Sequence, residues 1–178
     1  MPSWDGRAPG VGEKAPDLAL VDQEGKRKTL PAISGRKPLV LLVFSGLEDR
    51  DGLRLLLEYR DDTLAIWRAG AALCAIGPVE PATLRHLRSE RGVGFPLLAD
   101  PGGAVLASHG MLEGPGVFLL DGDGIVKHRA RGDAAAPDAI LSILRRGGAR
   151  RSRPGLRERA RGFAHALQHA FRTLRPAR

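Results

Sequence analysis

The chain of 178 residues has one cysteine, Cys74, one tyrosine and two tryptophans, and aromatic residues make up only 4% of it. A lone thiol excludes any disulfide within the chain, which agrees with a reducing compartment, and a cytoplasmic location is the expectation. Nowhere do about 18 apolar residues follow one another, so no helical membrane span is expected. The opening MPSWDGRAPGVGEKAP carries charge early and lacks an apolar core segment, unlike a secretory leader.

What the chain has is basic charge, unevenly placed. The formal net charge is +8. From Arg145 to Arg178 there are eleven arginines against one glutamate, whereas the rest holds 17 basic and 19 acidic residues. The body is close to neutral and the C-terminal segment carries the charge. Within that segment Leu156, Ala160, Phe163, Leu167, Phe171 and Leu174 recur at helical steps. Arg157, Arg161, His165, His169 and Arg172 fall on the other side. This predicts a basic amphipathic helix over residues 156–175. Arg157, Arg161, Arg172 and Arg175 are its candidate contacts for an anionic partner. Three partners fit: the chain itself, by intramolecular docking or as a homodimer; an anionic membrane surface; or nucleic acid.

The body reads as a layered α/β domain. Leu39 to Phe44 and Ala71 to Ile76 are continuous apolar runs of strand length, as suits central strands covered on both faces. Between them Leu53, Leu56, Leu57, Leu64 and Trp67 fall at helical spacings, with Arg54, Glu58, Asp61 and Arg68 opposite, so one helix is expected there. A second helix is predicted from Pro81 to Arg91, stopped by Gly92. FLLDGDGIVKH predicts a hairpin turned at Asp121-Gly122-Asp123-Gly124, and Pro137 to Arg146 a last helix ended by Gly147-Gly148. The organisation expected is an arm (1–10), a domain (11–148), a linker (149–155) and the basic helix (156–175).

Four stretches in order carry a family resemblance. These are VGEKAPDLALVDQEGKRKTL from Val11, PLVLLVFSGLEDRDGLRLLLEYRD from Pro38, GFPLLADPGGAVLASHG from Gly94 and GVFLLDGDGIVKHRARG from Gly116. Together they resemble the peroxiredoxins, the alkyl hydroperoxide reductase and thiol-specific antioxidant family. The resemblance implies a thioredoxin-like mixed sheet with helices on both faces and an N-terminal β-hairpin. It also implies an active-site turn after the strand ending at Phe44, with Pro, Thr and the peroxide-attacking Cys at set spacings. Counted without a gap, those positions hold Gly46, Arg50 and Leu53. Leucine has no lone pair with which to attack an O–O bond, so the family's chemistry has no nucleophile there. A family Arg that helps polarise the peroxide is replaced by Pro115. Pro115 also stands three residues before Phe118, as does the cis-proline of thioredoxin-like reductases; an ordinary Gly-Pro-Gly turn is the other reading.

The remaining candidates are weaker. Cys74 sits inside an apolar run and is read as an inert buried thiol, with a displaced catalytic role as the alternative. Glu48, Asp49 and Asp51 read as a solvated loop beside a helix N-terminus, where negative charge is favourable. Ser45 has no histidine at a recognisable spacing, and His86, His109 and His128 are scattered. No cofactor and no metal set is expected, and no small-molecule substrate is indicated. The functional expectation is a redoxin-like domain with a degenerate, inactive peroxidase site, acting as a scaffold through its basic helix.

Overall fold

The computed structural model describes residues 7–111 and 114–151. The chain divides into two compact units, Met1–Leu144 and Arg145–Arg178. The first unit is built on a seven-stranded mixed sheet of order β2-β1-β5-β4-β3-β6-β7.

A hairpin opens it, β1 (Ala19–Asp22) against β2 (Arg27–Thr29). Its turn is closed by the Asp22 carboxylate, which accepts from the backbone N–H of Glu24 and of Lys26 at 2.9 Å each. Helix α1 (Leu30–Ser34) follows at once, because the Thr29 hydroxyl caps the Ala32 N–H and Gly35 ends the helix in the left-handed region. Then come β3 (Leu39–Val43), α2 (Arg50–Asp61), α3 (Thr63–Arg68) and β4 (Ala72–Gly77). Helix α4 (Pro81–Arg91) and β5 (Leu97–Ala99) complete the parallel part. Helix α5 (Ala104–Ser108), the hairpin of β6 (Gly116–Leu120) and β7 (Val126–Arg131), and α6 (Pro137–Arg151) close the described chain.

Strand β3 lies between β4, parallel to it, and β6, antiparallel, and all five of its side chains are buried. Alternate residues feed two cores. Val40, Leu42 and Phe44 pack with Leu55, Leu56 and Tyr59 of α2, Leu84 of α4 and Ile140 of α6. Leu39, Leu41 and Val43 pack on the other side with Leu30, Leu106, Cys74 and Phe118. Full burial of each such side chain is worth about 1.5–3 kcal/mol, so the central strand alone fixes both layers.

The expected strands, both hairpins, and the helix from Pro81 to Arg91 with its Gly92 stop are all present. Two helices differ from expectation. The helix after β3 is broken at Asp62, where the backbone leaves helical angles, and the Thr63 hydroxyl donates to the Tyr59 carbonyl. Short polar side chains compete with the helix ladder in this way. The inward face is Gly52, Leu55, Leu56, Tyr59 and then Ile66, leaving Leu64 53% and Trp67 52% exposed. Leucines at 53, 55, 56 and 57 make both sides apolar, so spacing alone chose the wrong stripe. Helix α6 also runs on through Gly147-Gly148 to Arg151. Glycine weakens a helix by roughly 1 kcal/mol per residue and does not break it.

One contact ties β3 to β4 at the end that leads into α2. The Phe44 N–H donates to the Ile76 carbonyl at 3.1 Å, and its ring lies over Gly77, where a Cβ would come within 2.2 Å of the ring. Gly77→Ala is therefore expected to destabilise the fold by about 1–3 kcal/mol through overpacking. Urea unfolding checks this, and Phe44→Leu in the same chain should recover part of the loss.

Candidate functional site at the turn from β3 into α2

The turn runs from Ser45 to Asp49. Gly46 adopts a φ of +145°, open to glycine and unfavourable to a side chain. Asp49 is the N-cap of α2: its Oδ1 accepts from the Asp51 N–H at 3.0 Å, and its Oδ2 accepts a short hydrogen bond from the Ser45 hydroxyl. The Ser45 bond, helped by the backbone N–H groups of Gly52 and Asp51, holds the Asp49 carboxyl below the usual carboxylate range. The acidic loop thus works as a cap, and the Ser45 hydroxyl points to a carboxylate with no imidazole beside it.

Gly52 brings the helix close. A Cβ there would stand 3.0 Å from Asp49 Oδ2 and 3.1 Å from Phe44 Cβ, so the first turn of α2 is pressed against the end of β3. Arg50 is the first helical residue and is exposed; Leu53 is half-buried and packs on the core edge. The whole first turn, Arg50 to Leu53, carries no sulfur, so a shift of one or two residues in the count changes nothing. Leu53 lines a shallow apolar groove along α2 with Leu57, between Arg50 and Arg54 at one end and Glu58 and Asp61 at the other.

A cleft of about 410 Å3 lies at the same end of the sheet. It brings Pro115 at the entry to β6 together with Asp51, Arg54 and Leu55 of α2 and with Arg131 and Asp133 beyond β7. Pro115 therefore does face the start of α2, whereas Gly46 and Arg50 do not line this cleft. The peptide bond before Pro115 is trans, so the cis-proline reading gives way to the ordinary turn. Flanking glycines at 114 and 116 let the chain turn without it.

Cys74 is elsewhere. It pairs with Leu41 in the ladder of β3 and β4 and turns toward the core opposite α2, with 0% exposure. Burial pushes its thiol up to about 12, so at pH 8 about one molecule in ten thousand would hold a thiolate. Among the described residues no three of His, Cys, Asp and Glu come together as a metal-binding group. His86 pairs with Glu90 on exposed α4 at 3.1 Å. Asp121 closes the β6–β7 turn, its Oδ1 accepting from the Asp123 and Ile125 N–H groups, and Lys127 pairs with it at 3.0 Å. Arg157, Arg161, Arg172 and Arg175 lie outside the described residues. Sequence reasoning missed Arg131 and Asp133 at the cleft, since only the return of β7 beside β6 carries them there.

Residues 11–129 match the family model of the AhpC/TSA family. Alkyl hydroperoxide reductase E of Mycobacterium tuberculosis is 33% identical over 132 residues, covering 66% of this chain and 82% of that protein. A putative peroxiredoxin of the same organism is 32% identical over 100 residues, 56% of this chain, and the chain spans 62% of that relative's length. Among solved structures, peroxidoxin BcpB of M. tuberculosis superposes with a TM-score of 0.69 at 23% identity, over 77% of this chain and 97% of that one. Thiol peroxidase from Chromobacterium violaceum gives 0.65 at 23% identity, over 82% and 91%. The sheet order, the paired hairpins and these matches agree, and the chain belongs to the AhpC/TSA family with a peroxiredoxin-like thioredoxin fold.

Proposed function

We propose that this chain is a non-catalytic member of its family, a redoxin-like scaffold that meets an anionic partner through its arginine-rich C-terminal segment. One observation carries the first half: the first turn of α2 has no sulfur, and the only thiol is shut inside the sheet on the far side. In thiol peroxidase chemistry a thiolate attacks one peroxide oxygen, the O–O bond breaks, the other oxygen leaves as alcohol or water, and sulfur becomes sulfenic acid. Neither Leu53 nor a fully buried Cys74 supplies the thiolate. The charge asymmetry supports the second half, with eleven arginines in the last 34 residues against a nearly neutral body.

A second reading is favoured by the relatives' names, which describe peroxiredoxins and a hydroperoxide reductase. On that reading Cys74 works in a displaced geometry, with a partner supplying the second sulfur. Its burial and raised pKa weigh against this.

A disulfide reagent such as Ellman's separates the two. The native chain is expected to stay unlabelled while the denatured chain reacts fully with one equivalent; prompt labelling of the native chain favours the oxidoreductase. For the basic segment, deletion of residues 154–178 is expected to keep a cooperative melt and to abolish retention on phosphatidylserine vesicles at low salt. Retention unchanged by the deletion, or loss of the melt, rejects that role.

A further inference from the structure

On the sheet face opposite α2, a cleft of about 440 Å3 opens between the N-terminal arm and the β6–β7 hairpin. Arg7, Arg129 and Arg131 line it, and no aspartate or glutamate does. Register puts two of these arginines there. Arg129 pairs with Phe118 and Arg131 with Gly116, and partners in an antiparallel ladder share a face. Phe118 belongs to the buried cluster of that face with Val43 and Met111, so both arginines rise from an apolar floor. Two residues apart on one strand, they are spaced roughly 7 Å along it. Gly116 makes room for the stem of Arg131, whose Cγ would stand 3.2 Å from a Cβ at that position.

The charge in the cleft is only partly met by its surroundings. Arg7 pairs with Glu13 at 2.5 Å. The Gly10 N–H first, then Arg7, and more weakly Arg129 hold that carboxyl below its ordinary range. Arg129 donates from Nη1 to the Ala8 and Pro9 carbonyls at 3.3 Å each. Those bonds fix the guanidinium without neutralising it, and they use one of its three nitrogens. A fixed guanidinium is planar and matches the two oxygens of a carboxylate or phosphate. The volume lies in the usual range for small-ligand pockets, roughly 300–1,000 Å3.

We propose that this cleft binds the oxyanion group of a small ligand, a carboxylate or phosphate monoester held between Arg129 and Arg131. It lies across the sheet from Leu53 and the start of α2, so it stands or falls independently of the thiol question. The test is an amide-shift titration of the full 15N-labelled chain at low ionic strength, with benzoate in one series and phenyl phosphate in the other. Saturable shifts are expected at the Gly116, Ala130 and Arg131 amides, and the tighter probe identifies the group. Arg131→Gln and Arg129→Gln should each weaken binding roughly tenfold or more, the scale of a lost hydrogen bond to a charged group. Arg157→Gln with Arg161→Gln should leave it unchanged. Because Arg129 also holds the arm, Arg131→Gln alone decides if the Arg129 variant loses its native melt. Shifts confined to the C-terminal segment, shifts at β6 and β7 that survive Arg131→Gln, or no saturation would overturn the proposal.

Discussion

The structure depends on a central strand that must be covered on both sides. Every side chain of β3 is buried, and their alternation divides them between two cores, one under α2, α4 and α6 and one under α1 and α5. That single constraint sets the layers, places the turn into α2 at one end of the sheet, and decides which way each neighbouring strand faces. Cys74, paired with Leu41, is thereby committed to the core away from α2. No loop movement near Leu53 brings it to the turn, because reaching it would mean rotating β4 out of the sheet.

Where β3 meets α2 the chain keeps the geometry of a reactive turn and omits the reactive atom. Phe44 lies over Gly77, Gly52 lets the helix approach, and Asp49 caps the first turn while accepting from Ser45. These contacts are backbone and packing features, and they hold whether or not a thiol follows. A fold of this kind can lose its chemistry by substitution at a few exposed or half-exposed positions while its stability, which resides in the two cores, is left intact. Gly46, Arg50 and Leu53 are such positions, none belonging to the fully buried set.

Much of this was legible in the sequence because the signals are local. The runs from Leu39 and from Ala71, the turn at Asp121 to Gly124 and the stop at Gly92 each state their element through periodicity or a turn residue. The failures have a common physical cause, competition between two local answers that only packing resolves. Around α2 the leucines at 53, 55, 56 and 57 allow two inward faces, and Tyr59, whose hydroxyl donates to the Ala135 carbonyl at 2.8 Å, selects one. At Gly147-Gly148 a stop signal is outweighed by a helix already under way. The absence of sulfur from the turn could be read from the sequence, whereas the cleft of Arg7, Arg129 and Arg131 could not, since it needs the register of β6 on β7 and the return of the N-terminal arm.

The central claim is that no thiol in the folded chain meets a peroxide. The most direct measurement is peptide mapping by mass spectrometry after brief exposure of the native protein to hydrogen peroxide with a sulfenate-trapping dione present, so that oxidation of Met1 or Met111 is told apart from that of Cys74. The account predicts an unmodified Cys74 peptide from the native chain and an adduct only when the same treatment follows unfolding. A stoichiometric adduct on Cys74 from the folded protein would contradict it.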